Sequence, residues 1–432
     1  MNFSGKRVTV AGLGRFGGGI AVVRWLCAQG ARVLVTDRDS PEKLADSLRQ
    51  IQGLSITLHL GEHREEDFTD ADIVVASPAI PPHNPFLKAA RAAGVAVTTE
   101  IRLFIERCPA TIVGVTGTKG KSTTTAMLGR ILETQFNTWV GGNIGKSLLA
   151  ELDQIQKSDL VVLELSSFML EHLREMRWSP HVAVVTMISA DHLDWHGSLD
   201  AYVEAKKNIL RFQGADDYAV LNEEDLMCAS LARSSPGKVS FYGTENRKRF
   251  DLLLPGEHNQ FNAQGAFAAA DIFGIDWAAA QKALGDFPGL PHRLQLVYQI
   301  DGIQYFNDSI ATIPDAAVAA LNAFPSKKVI QIVGGYDKGL GIIAMCAALV
   351  ERAKAVVCIG AMGPKIADML ELSTSQNAAV AYRCGDLATA VKIARGIATA
   401  GDVVLMSPGF ASYDQFVNFE KRGEMFEQLV RT

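Results

Sequence analysis

A glycine-rich loop with a lysine and a serine stands between a strand-like run and a helix-like run. It lies in TIVGVTGTKGKSTTT, and AMLGRILE follows with helical spacing. Backbone amides of such a loop can surround the β- and γ-phosphates of ATP, the Lys121 ammonium balances their charge, and the Ser122 hydroxyl suits Mg²⁺. Val115 stands where the strict pattern has its first glycine. The strand-to-helix context still predicts an ATP-binding loop, made of Gly117, Thr118, Lys119, Gly120, Lys121, Ser122 and Thr123.

Candidate metal ligands follow the next two strand-like runs. Glu164 ends DLVVLE, where carboxylates of α/β sheets face the crevice at the strand ends. The run HVAVVTM is followed by a loop of acidic residues and histidines, Asp191, His192, Asp194 and His196. Lys206 comes later, on a helix that brings it beside this loop. Mg²⁺ prefers oxygen ligands and keeps several waters. A lone glutamate after a strand is usually a helix cap, but beside a phosphate loop Glu164 is the better candidate for a metal ligand.

A second glycine-rich turn occurs near the start of the chain. Gly12, Gly14 and Gly17 follow a strand-like run and open a helix, and Asp37 ends the next strand. This spacing is that of a dinucleotide-binding fingerprint, in which backbone amides approach a pyrophosphate. A tight turn without any ligand is about equally compatible with the pattern. NAD and a UDP-sugar both carry a pyrophosphate, so the turn alone leaves the ligand open.

Composition excludes several classes of protein. The chain has 432 residues, a net charge of −5 and no long basic run, which argues against nucleic-acid binding. Its six cysteines are scattered without close pairs, which argues against a disulfide framework and fits a reducing cytoplasm. No uninterrupted apolar segment could span a bilayer, and the first residues lead directly into a strand. We therefore expect a soluble cytoplasmic protein that does not bind membranes.

The chain repeats the pattern of short apolar strands alternating with helices three times. The strand-like runs are VTVAG, ARVLVTD and ADIVVAS, then TIVGVTG, DLVVLEL and HVAVVTM, then KKVIQIVGG, AKAVVCIG and GDVVLMSPG. Such alternation is typical of parallel sheets covered by helices. We predict an α/β fold of three consecutive domains, residues 1–98, 99–289 and 290–432. The first and third are Rossmann-like, and the second is an ATPase-like domain with the phosphate loop.

The motifs GTKGKST, ELSSF, DHLDWHG and EAKKN, in this order, resemble the Mur ligase superfamily, which also includes folylpolyglutamate synthetase. The resemblance implies an ATP-dependent ligase that works through an acyl-phosphate. It also implies that Lys206 is carbamylated by CO₂ and holds one of two Mg²⁺ ions with His192, and that Ser122 and Glu164 are further metal ligands. Lys121, Glu164, His192 and Lys206 then form the catalytic set. Reversal of the lysine charge is reasonable beside a dication, which an ammonium would repel.

The same resemblance distributes the remaining ligands. Asn259 and Asn262 share one face of a helix, and this segment is expected to contact the adenine, with Asn262 as the ATP ligand. Arg293 and Asp308 are expected at the ATP phosphates and ribose, which a closure of the third domain would complete. The expected ligands of the UDP-substrate are Gly14, Arg15, Phe16, Asp37, Arg38, Ser77, Asn143 and His192. The expected ligands of the incoming amino acid are Thr312, Lys338, Ser412 and Phe419.

The segments GGYDKG and SPGFASYDQFVNFEKRG resemble the glutamate-adding branch, and the Asp-Asn-Pro-Arg motif of the diaminopimelate-adding branch is absent. The implied partners are ATP, glutamate and UDP-N-acetylmuramoyl-L-alanine, with the chain acting as a monomer. D-glutamate is favoured, but Ile310 replaces a lysine that glutamate ligases commonly have, which leaves L-glutamate open. Three rivals remain at this point: a folylpolyglutamate synthetase, a nicotinamide-dependent oxidoreductase and a non-catalytic nucleotide-binding regulator.

Overall fold

The computed structural model describes residues 2–14, 17–145, 147–243, 248–372 and 379–432. The chain divides into two compact units. The first comprises Met1–Lys248 and Phe261–Ala280, and the second comprises Arg249–Gln260 and Gln281–Thr432. None of the helices in the described ranges combines the length and the apolar character that crossing a lipid bilayer requires.

The first unit begins with a parallel sheet in the order β3-β2-β1-β4-β5. Its strands are β1 (Arg7–Ala11), β2 (Arg32–Asp37), β3 (Ile56–Leu60), β4 (Ile73–Ala76) and β5 (Ala96–Thr99). The helices are α1 (Gly18–Ala28), α2 (Ala45–Gln50), α3 (Glu65–Thr69), α4 (Pro85–Ala92) and α5 (Glu100–Ile105). The runs VTVAG, ARVLVTD and ADIVVAS are β1, β2 and β4, so the predicted Rossmann-like beginning is confirmed.

A second parallel sheet of the first unit has the order β11-β10-β9-β6-β8-β7. Its strands are β6 (Thr111–Thr116), β7 (Thr138–Gly142), β8 (Leu160–Glu164), β9 (Val182–Val185), β10 (Tyr218–Asn222) and β11 (Lys238–Tyr242). The helices are α6 (Lys121–Leu132), α7 (Ser167–Leu173), α8 (Leu193–His196), α9 (Leu199–Arg211) and α10 (Leu226–Ser230), with 3₁₀ turns at Leu148–Gln154, Arg174–Met176 and Leu231–Ser234.

The order of this second sheet positions the candidate site. Strand β6 lies between β8 and β9, with Val115 opposite both Glu164 and Val184. All residues of β8 and β9 are buried, which explains why both strands are continuous apolar runs. Because carboxyl ends of neighbouring parallel strands share one edge, the loops after β6, β8 and β9 meet there.

The second unit contains a sheet in the order β12-β13-β17-β14-β15-β16. Its strands are β12 (Gln295–Ile300), β13 (Ile303–Asn307), β14 (Val329–Gly334), β15 (Ala353–Ile359), β16 (Val380–Gly385) and β17 (Val403–Met406). Its helices are α13 (Pro314–Asn322), α14 (Ile343–Arg352), α15 (Gly363–Glu371), α16 (Leu387–Ile397) and α17 (Phe419–Arg431). Two further helices, α11 (Glu257–Asp271) and α12 (Trp277–Leu284), contain residues of both units.

One feature of the third sheet was missed by the sequence analysis. Strands β12 and β13 form an antiparallel hairpin, while the other strand pairs of this sheet are parallel. Asp301 and Gly302 form the turn, both with positive φ (51° and 74°). An Asp-Gly pair between apolar runs is a hairpin signal, so the sequence IDGI carried the information. Three α/β domains are confirmed, with an antiparallel edge on the third.

Candidate active site

The glycines of the phosphate loop are required by close contacts. Gly117 has a φ of 150° and Gly120 a φ of 84°. A β-carbon on Gly117 would lie 1.9 Å from the Thr186 hydroxyl oxygen, and one on Gly120 would lie 2.4 Å from Asn262 Oδ1. No side chain fits at such distances, so the backbone must stay bare at both positions. Asn262 Oδ1 also accepts a hydrogen bond from Thr124 Oγ1 at 3.3 Å, which places this predicted ATP ligand against the loop.

Thr186 was not among the predicted site residues, yet it supports the loop. Its hydroxyl oxygen lies 2.5 Å from Lys119 O and 3.2 Å from Thr116 O, and its amide donates to Thr116 O. Thr186 follows β9 directly, and β9 pairs with β6. The signal for this role was therefore its position at the end of HVAVVTM, beside the strand that carries the loop.

Thr118 holds the phosphate loop to the loop after β9. Its amide donates to Met187 O at 2.7 Å, and its hydroxyl lies 3.0 Å from Ser189 O and 2.9 Å from Tyr202 Oη. Since both groups have partners inside the protein, the structure assigns the Thr118 side chain a supporting role. Its predicted contact with ATP stays a prediction.

The remaining residues of the loop surround the first turn of α6. Lys121 Nζ donates to Thr118 O at 2.9 Å, so the ammonium lies over the loop backbone. Ser122 is partly exposed, Thr123 is buried and Lys119 is exposed. The first turn of a helix attracts anions through its unpaired amides and its dipole. Lys121 adds a full positive charge at that point, which is the arrangement an ATP phosphate needs.

Glu164 is a buried carboxylate with one unsatisfied oxygen. It ends β8 and is 1% exposed. Its Oε1 accepts from Asn143 Nδ2 at 2.9 Å, whereas Oε2 has no hydrogen-bond partner among the described residues. A buried carboxylate oxygen is costly unless something pairs with it. The chemistry of this oxygen therefore fits a hard cation such as Mg²⁺.

Asn143 was predicted to reach the sugar of the UDP-substrate, but its amide group binds Glu164. Besides the side-chain bond, Asn143 N donates to Glu164 O at 2.9 Å. Both bonds fix the carboxylate at the edge of β8. In this structure the residue orients a candidate metal ligand.

We expect Asn143→Ala to raise the Mg²⁺ concentration for half-maximal activity about tenfold, because losing a partner that orients a metal ligand typically costs 10- to 100-fold in affinity. The KM for the UDP-substrate at saturating Mg²⁺ should change less than about twofold. Titration of activity with Mg²⁺ at fixed ATP measures the first quantity. A raised KM for the UDP-substrate with unchanged Mg²⁺ dependence would instead support the sugar contact.

The loop after β9 presents His192 to solvent. Its φ is 51°, its side chain is 49% exposed, and its ring lies 4.8 Å from that of Phe168. His192 Nε2 is 3.6 Å from Asp191 Oδ2. Within the described ranges, no group of three or more His, Cys, Asp and Glu residues is arranged to hold a metal. Mg²⁺ is commonly held by one or two carboxylates together with substrate phosphates and water, so a complete protein cage is not required.

Several neighbours of this loop have structural partners. Ser166 Oγ caps α7 by accepting from Met169 N at 3.2 Å, and Ser167 Oγ lies 3.0 Å from His196 Nε2. Burial lowers the pKa of His196, and the positive fields of His192 and Lys206 lower it further. We conclude that these residues stabilise the loop and its surroundings. His192 is then the residue of this loop that we keep as a candidate metal ligand.

Lys206 is buried on α9, although a lysine at such a position would ordinarily be a solvated charge. It is 1% exposed, and its Nζ donates to Gly117 O at 2.6 Å and lies 3.4 Å from Thr116 Oγ1. Its Nζ is also 4.7 Å from the centre of the Tyr202 ring. Burial lowers the pKa of Lys206 well below its usual value, and the charge of Lys121 lowers it further. The structure thus brings a buried lysine with a lowered pKa to the base of the phosphate loop.

The turn after β1 is closed by Asp37. Its Oδ2 accepts from Gly14 N at 3.0 Å, and its Oδ1 accepts from Asp39 N at 2.9 Å. A β-carbon on Gly12 would lie 2.8 Å from that of Ser77, so the turn and the loop after β4 are in contact. The predicted ligands Gly14, Asp37 and Ser77 therefore lie together at the carboxyl edge of the first sheet. Arg38 is exposed beside them.

The glycine that brings α1 close to the strand is Gly19. A β-carbon there would lie 2.2 Å from Leu13 O, whereas Gly17 has open space and a φ of 88° at the start of the helix. Gly17 is therefore needed for its backbone conformation and Gly19 for its close approach. The predicted ligands Arg15 and Phe16 lie outside the described residues.

In the second unit, Arg293 is held between two residues in an unusual conformation. His292 and Leu294 have φ values of 61° and 42°. Asp308 fixes this segment, since its Oδ1 accepts from Leu294 N at 3.1 Å and its Oδ2 accepts from Ser407 Oγ at 2.6 Å. Left-handed backbone at residues other than glycine costs free energy and is concentrated at functional sites. The structure thus brings the two predicted ATP ligands, Arg293 and Asp308, together.

We expect the stability of the protein to depend on the ionisation of Asp308. Burial raises its pKa from 3.8 to about 7. A carboxyl group whose pKa is raised on folding stabilises the folded state at low pH, and this contribution is lost as the pH rises through about 7. Urea unfolding should show that the wild type loses about 2 kcal/mol between pH 5.5 and 8 relative to Asp308→Asn. An equal pH dependence of the two proteins would contradict this expectation.

The predicted amino-acid ligands come from three segments that the structure joins. Tyr336 N donates to Ala411 O at 2.8 Å, which connects GGYDKG to the segment of Ser412. Ser309 Oγ donates to Phe419 O at 2.7 Å, which connects NDSIAT to the start of α17. Among the predicted ligands themselves, Ser412 is buried, Thr312 and Phe419 are partly buried, and Lys338 is exposed.

Family models match most of the chain. Residues 6–99 match the Mur ligase MurD-like N-terminal domain, residues 115–253 the Mur ligase middle domain, and residues 292–410 the Mur ligase glutamate ligase domain. The chain belongs to the Mur ligase family. The limits 1–98, 99–289 and 290–432 that we drew from the sequence stay predictions, as do the roles of the site residues.

Relatives within the Mur ligase family match over the whole length. A UDP-N-acetylmuramoylalanine--D-glutamate ligase of Roseiflexus sp. (strain RS-1) is 41% identical, covering 100% of both chains. Another from Symbiobacterium thermophilum is 37% identical over 98% of both chains. The structure of a UDP-N-acetylmuramate-alanine ligase from Thermotoga maritima has a TM-score of 0.63 at 23% identity, with 99% of each chain covered. A MurF ligase of Thermotoga maritima in complex with ADP gives 0.57 at 17%, covering 99% of this chain and 96% of that one. The two structures share the fold.

Proposed function

We propose that this protein joins D-glutamate to UDP-N-acetylmuramoyl-L-alanine with hydrolysis of ATP to ADP and phosphate, in the cytoplasmic synthesis of peptidoglycan precursors. The observation that carries the proposal is one phosphate loop with Lys121 over its backbone, Lys206 bonded to Gly117 O and Glu164 at the end of the neighbouring strand. The relatives named D-glutamate ligases support the choice of amino acid and its stereochemistry. The match of residues 6–99 to a Mur ligase N-terminal domain argues against a folylpolyglutamate synthetase.

The reaction has two steps. The terminal carboxylate of the UDP-substrate attacks the γ-phosphorus of ATP, which forms an acyl-phosphate and releases ADP. The amine of glutamate then attacks the acyl carbon, loses a proton and expels phosphate. Lys121 and the amides at the start of α6 orient the γ-phosphate and offset its charge. Because no protein nucleophile is needed, positioning supplies most of the catalysis.

Magnesium, when bound, would neutralise charge on the phosphate oxygens. Ser122, Glu164 and His192 would hold it, and the unpaired Oε2 of Glu164 supports this assignment. Lys206 would contribute as a carbamate. CO₂ adds to a neutral amine with loss of a proton, and a buried lysine over the loop backbone favours the neutral form. The carbamate would place a negative charge where the metal is expected.

The glycine-rich turn after β1 would receive the uridine diphosphate. The ligands of the UDP-substrate would be Gly14, Arg15, Phe16, Asp37, Arg38, Ser77, Asn143 and His192. Arg293, Asp308 and Asn262 would contact ATP. Thr312, Lys338, Ser412 and Phe419 would bind glutamate, and the enzyme would act as a monomer. If the turn after β1 bound NAD instead, the protein would transfer a hydride. The phosphate loop and the candidate metal ligands would have no role in that reaction.

The nature of the products tests this proposal. Incubation of the purified protein with ATP, Mg²⁺, UDP-N-acetylmuramoyl-L-alanine and D-glutamate should give the UDP-substrate plus one glutamate minus one water by mass spectrometry. ADP should form in equal amount, and hydroxylamine should trap the acyl-phosphate when glutamate is absent. Formation of AMP would contradict the acyl-phosphate route, and reduction of NAD without nucleotide cleavage would favour the oxidoreductase.

A further inference from the structure

The second unit buries an arginine that forms no ion pair with any residue in the described ranges. Arg422, on α17, is 1% exposed. Its Nε donates to Ser309 Oγ at 3.0 Å and its Nη2 donates to Ser309 O at 2.9 Å. Its Nη1 has no hydrogen-bond partner among the described residues. A guanidinium remains protonated in proteins, so one face of a full positive charge is left without an acceptor.

Asp414, an acidic group that contributes to the field at Arg422, is exposed. Asp414 raises the pKa of Arg422, but burial outweighs this effect and lowers the pKa to about 10. The Asp414 carboxylate accepts from Ala361 N at 2.9 Å and is solvent-exposed. Burying a charge without a close partner is costly, and groups with a strongly perturbed pKa are concentrated at functional sites.

The unpaired end of Arg422 lies beside the segments that hold the predicted amino-acid ligands. A β-carbon on Gly335 would lie 3.2 Å from Arg422 Nη1 and 2.3 Å from Ala411 O. Gly335 belongs to GGYDKG and has a φ of 137°. The next residue after Ala411 is Ser412, which is 1% exposed and whose hydroxyl also lacks a partner among the described residues. Two unsatisfied donors are therefore buried where two predicted ligand segments meet.

We propose that Arg422 is the residue that makes the predicted amino-acid site specific for an amino acid with a side-chain carboxylate. The inference deepens the proposed function and rests on it. Arg422 acts through its charge from beneath Ser412 and Gly335, as a positioning residue, and the bound carboxylate supplies the anion that the folded chain lacks. An amino acid with a neutral amide in place of that carboxylate gains nothing from this field.

The test compares D-glutamate with D-glutamine, its neutral analogue, in two variants. Arg422→Gln can still donate to Ser309 O but has no charge, whereas Arg422→Lys keeps the charge. The ratio of kcat/KM for D-glutamate to that for D-glutamine should fall at least about 20-fold in Arg422→Gln, mainly through the KM for D-glutamate. In Arg422→Lys the ratio should stay within about threefold of the wild type. An unchanged ratio in Arg422→Gln overturns the inference.

Two further variants separate charge from folding. Ser309→Ala removes one bond to the arginine but not its charge, so it should lower the Tm and leave the selectivity ratio within about twofold. If Arg422→Gln does not fold, Asp414→Asn decides, because removing the exposed negative charge should lower the KM for D-glutamate about two- to threefold. An unchanged KM there overturns the inference. A wild type without any D-glutamate-dependent phosphate release would contradict the proposed function itself.

Discussion

Lys121→Ala should reduce kcat for ATP-dependent ligation by about 10³-fold or more, equivalent to roughly 4 kcal/mol of lost transition-state stabilisation. Lys121 opens α6, and its ammonium lies over the loop backbone at Thr118 O. Charge on the phosphate oxygens is redistributed in the transition state, and a cation held at the helix start stabilises it. The change can be measured as phosphate release at saturating substrates, with folding checked by Tm.

A matched control is available in the same loop. Lys119 is exposed, so its ammonium is surrounded by solvent. Lys119→Ala should reduce kcat by no more than about tenfold, because a solvated charge contributes little. Equal losses in Lys119→Ala and Lys121→Ala would contradict the special position of Lys121.

Lys206→Ala should lose about 10³-fold of activity, and short-chain carboxylic acids should restore part of it. The variant opens a cavity below Gly117, where Lys206 Nζ lies in the wild type. An added carboxylate such as acetate can enter that space and replace the carbamate as a metal ligand. Activity of the wild type should also fall in CO₂-free buffer and recover with bicarbonate.

The adjacent lysine provides the control for this second prediction. Lys207 lies on the same helix and pairs with Glu204 at 2.6 Å on the surface. Lys207→Ala should keep its activity within about twofold and should not respond to acetate. Full activity of Lys206→Ala without added acid would remove the carbamate from the mechanism. A loss that no acid restores would leave Lys206 with a role as an amine only.

Much of the fold could be predicted because its central strands are apolar on both faces. β6, β8 and β9 read as continuous apolar runs, which surface strands do not. The edge strands were harder to predict from the sequence. β3 has exposed residues at Thr57 and Leu58, and β16 consists of exposed and partly buried residues. The antiparallel β12 begins after a turn and pairs through local contacts that a pattern of alternating strands and helices does not reveal.

Residues of the candidate site could be predicted from the sequence where the residue type and its position in a motif point to one kind of chemistry. Gly120, Lys121 and Glu164 were found because a phosphate loop and a strand end restrict them. Thr186 was missed, since its position at the end of HVAVVTM becomes informative only once β9 is known to pair with β6. The bond of Asn143 to Glu164 was missed, because a side chain's partner on another strand depends on sheet order. Its predicted contact with the sugar stays a prediction. The sequence did not reveal Arg422 either, since an arginine in a charged helix is ordinarily exposed.

The most direct test of the account is phosphate release by the purified protein with ATP, Mg²⁺ and UDP-N-acetylmuramoyl-L-alanine, with D-glutamate and L-glutamate compared in parallel. We predict release that requires the UDP-substrate and D-glutamate together, at a rate at least about 100-fold above that with L-glutamate. This result would make Ile310 a tolerated replacement of the usual lysine. Release with L-glutamate alone, or with neither amino acid, would contradict the assignment of the D-glutamate reaction.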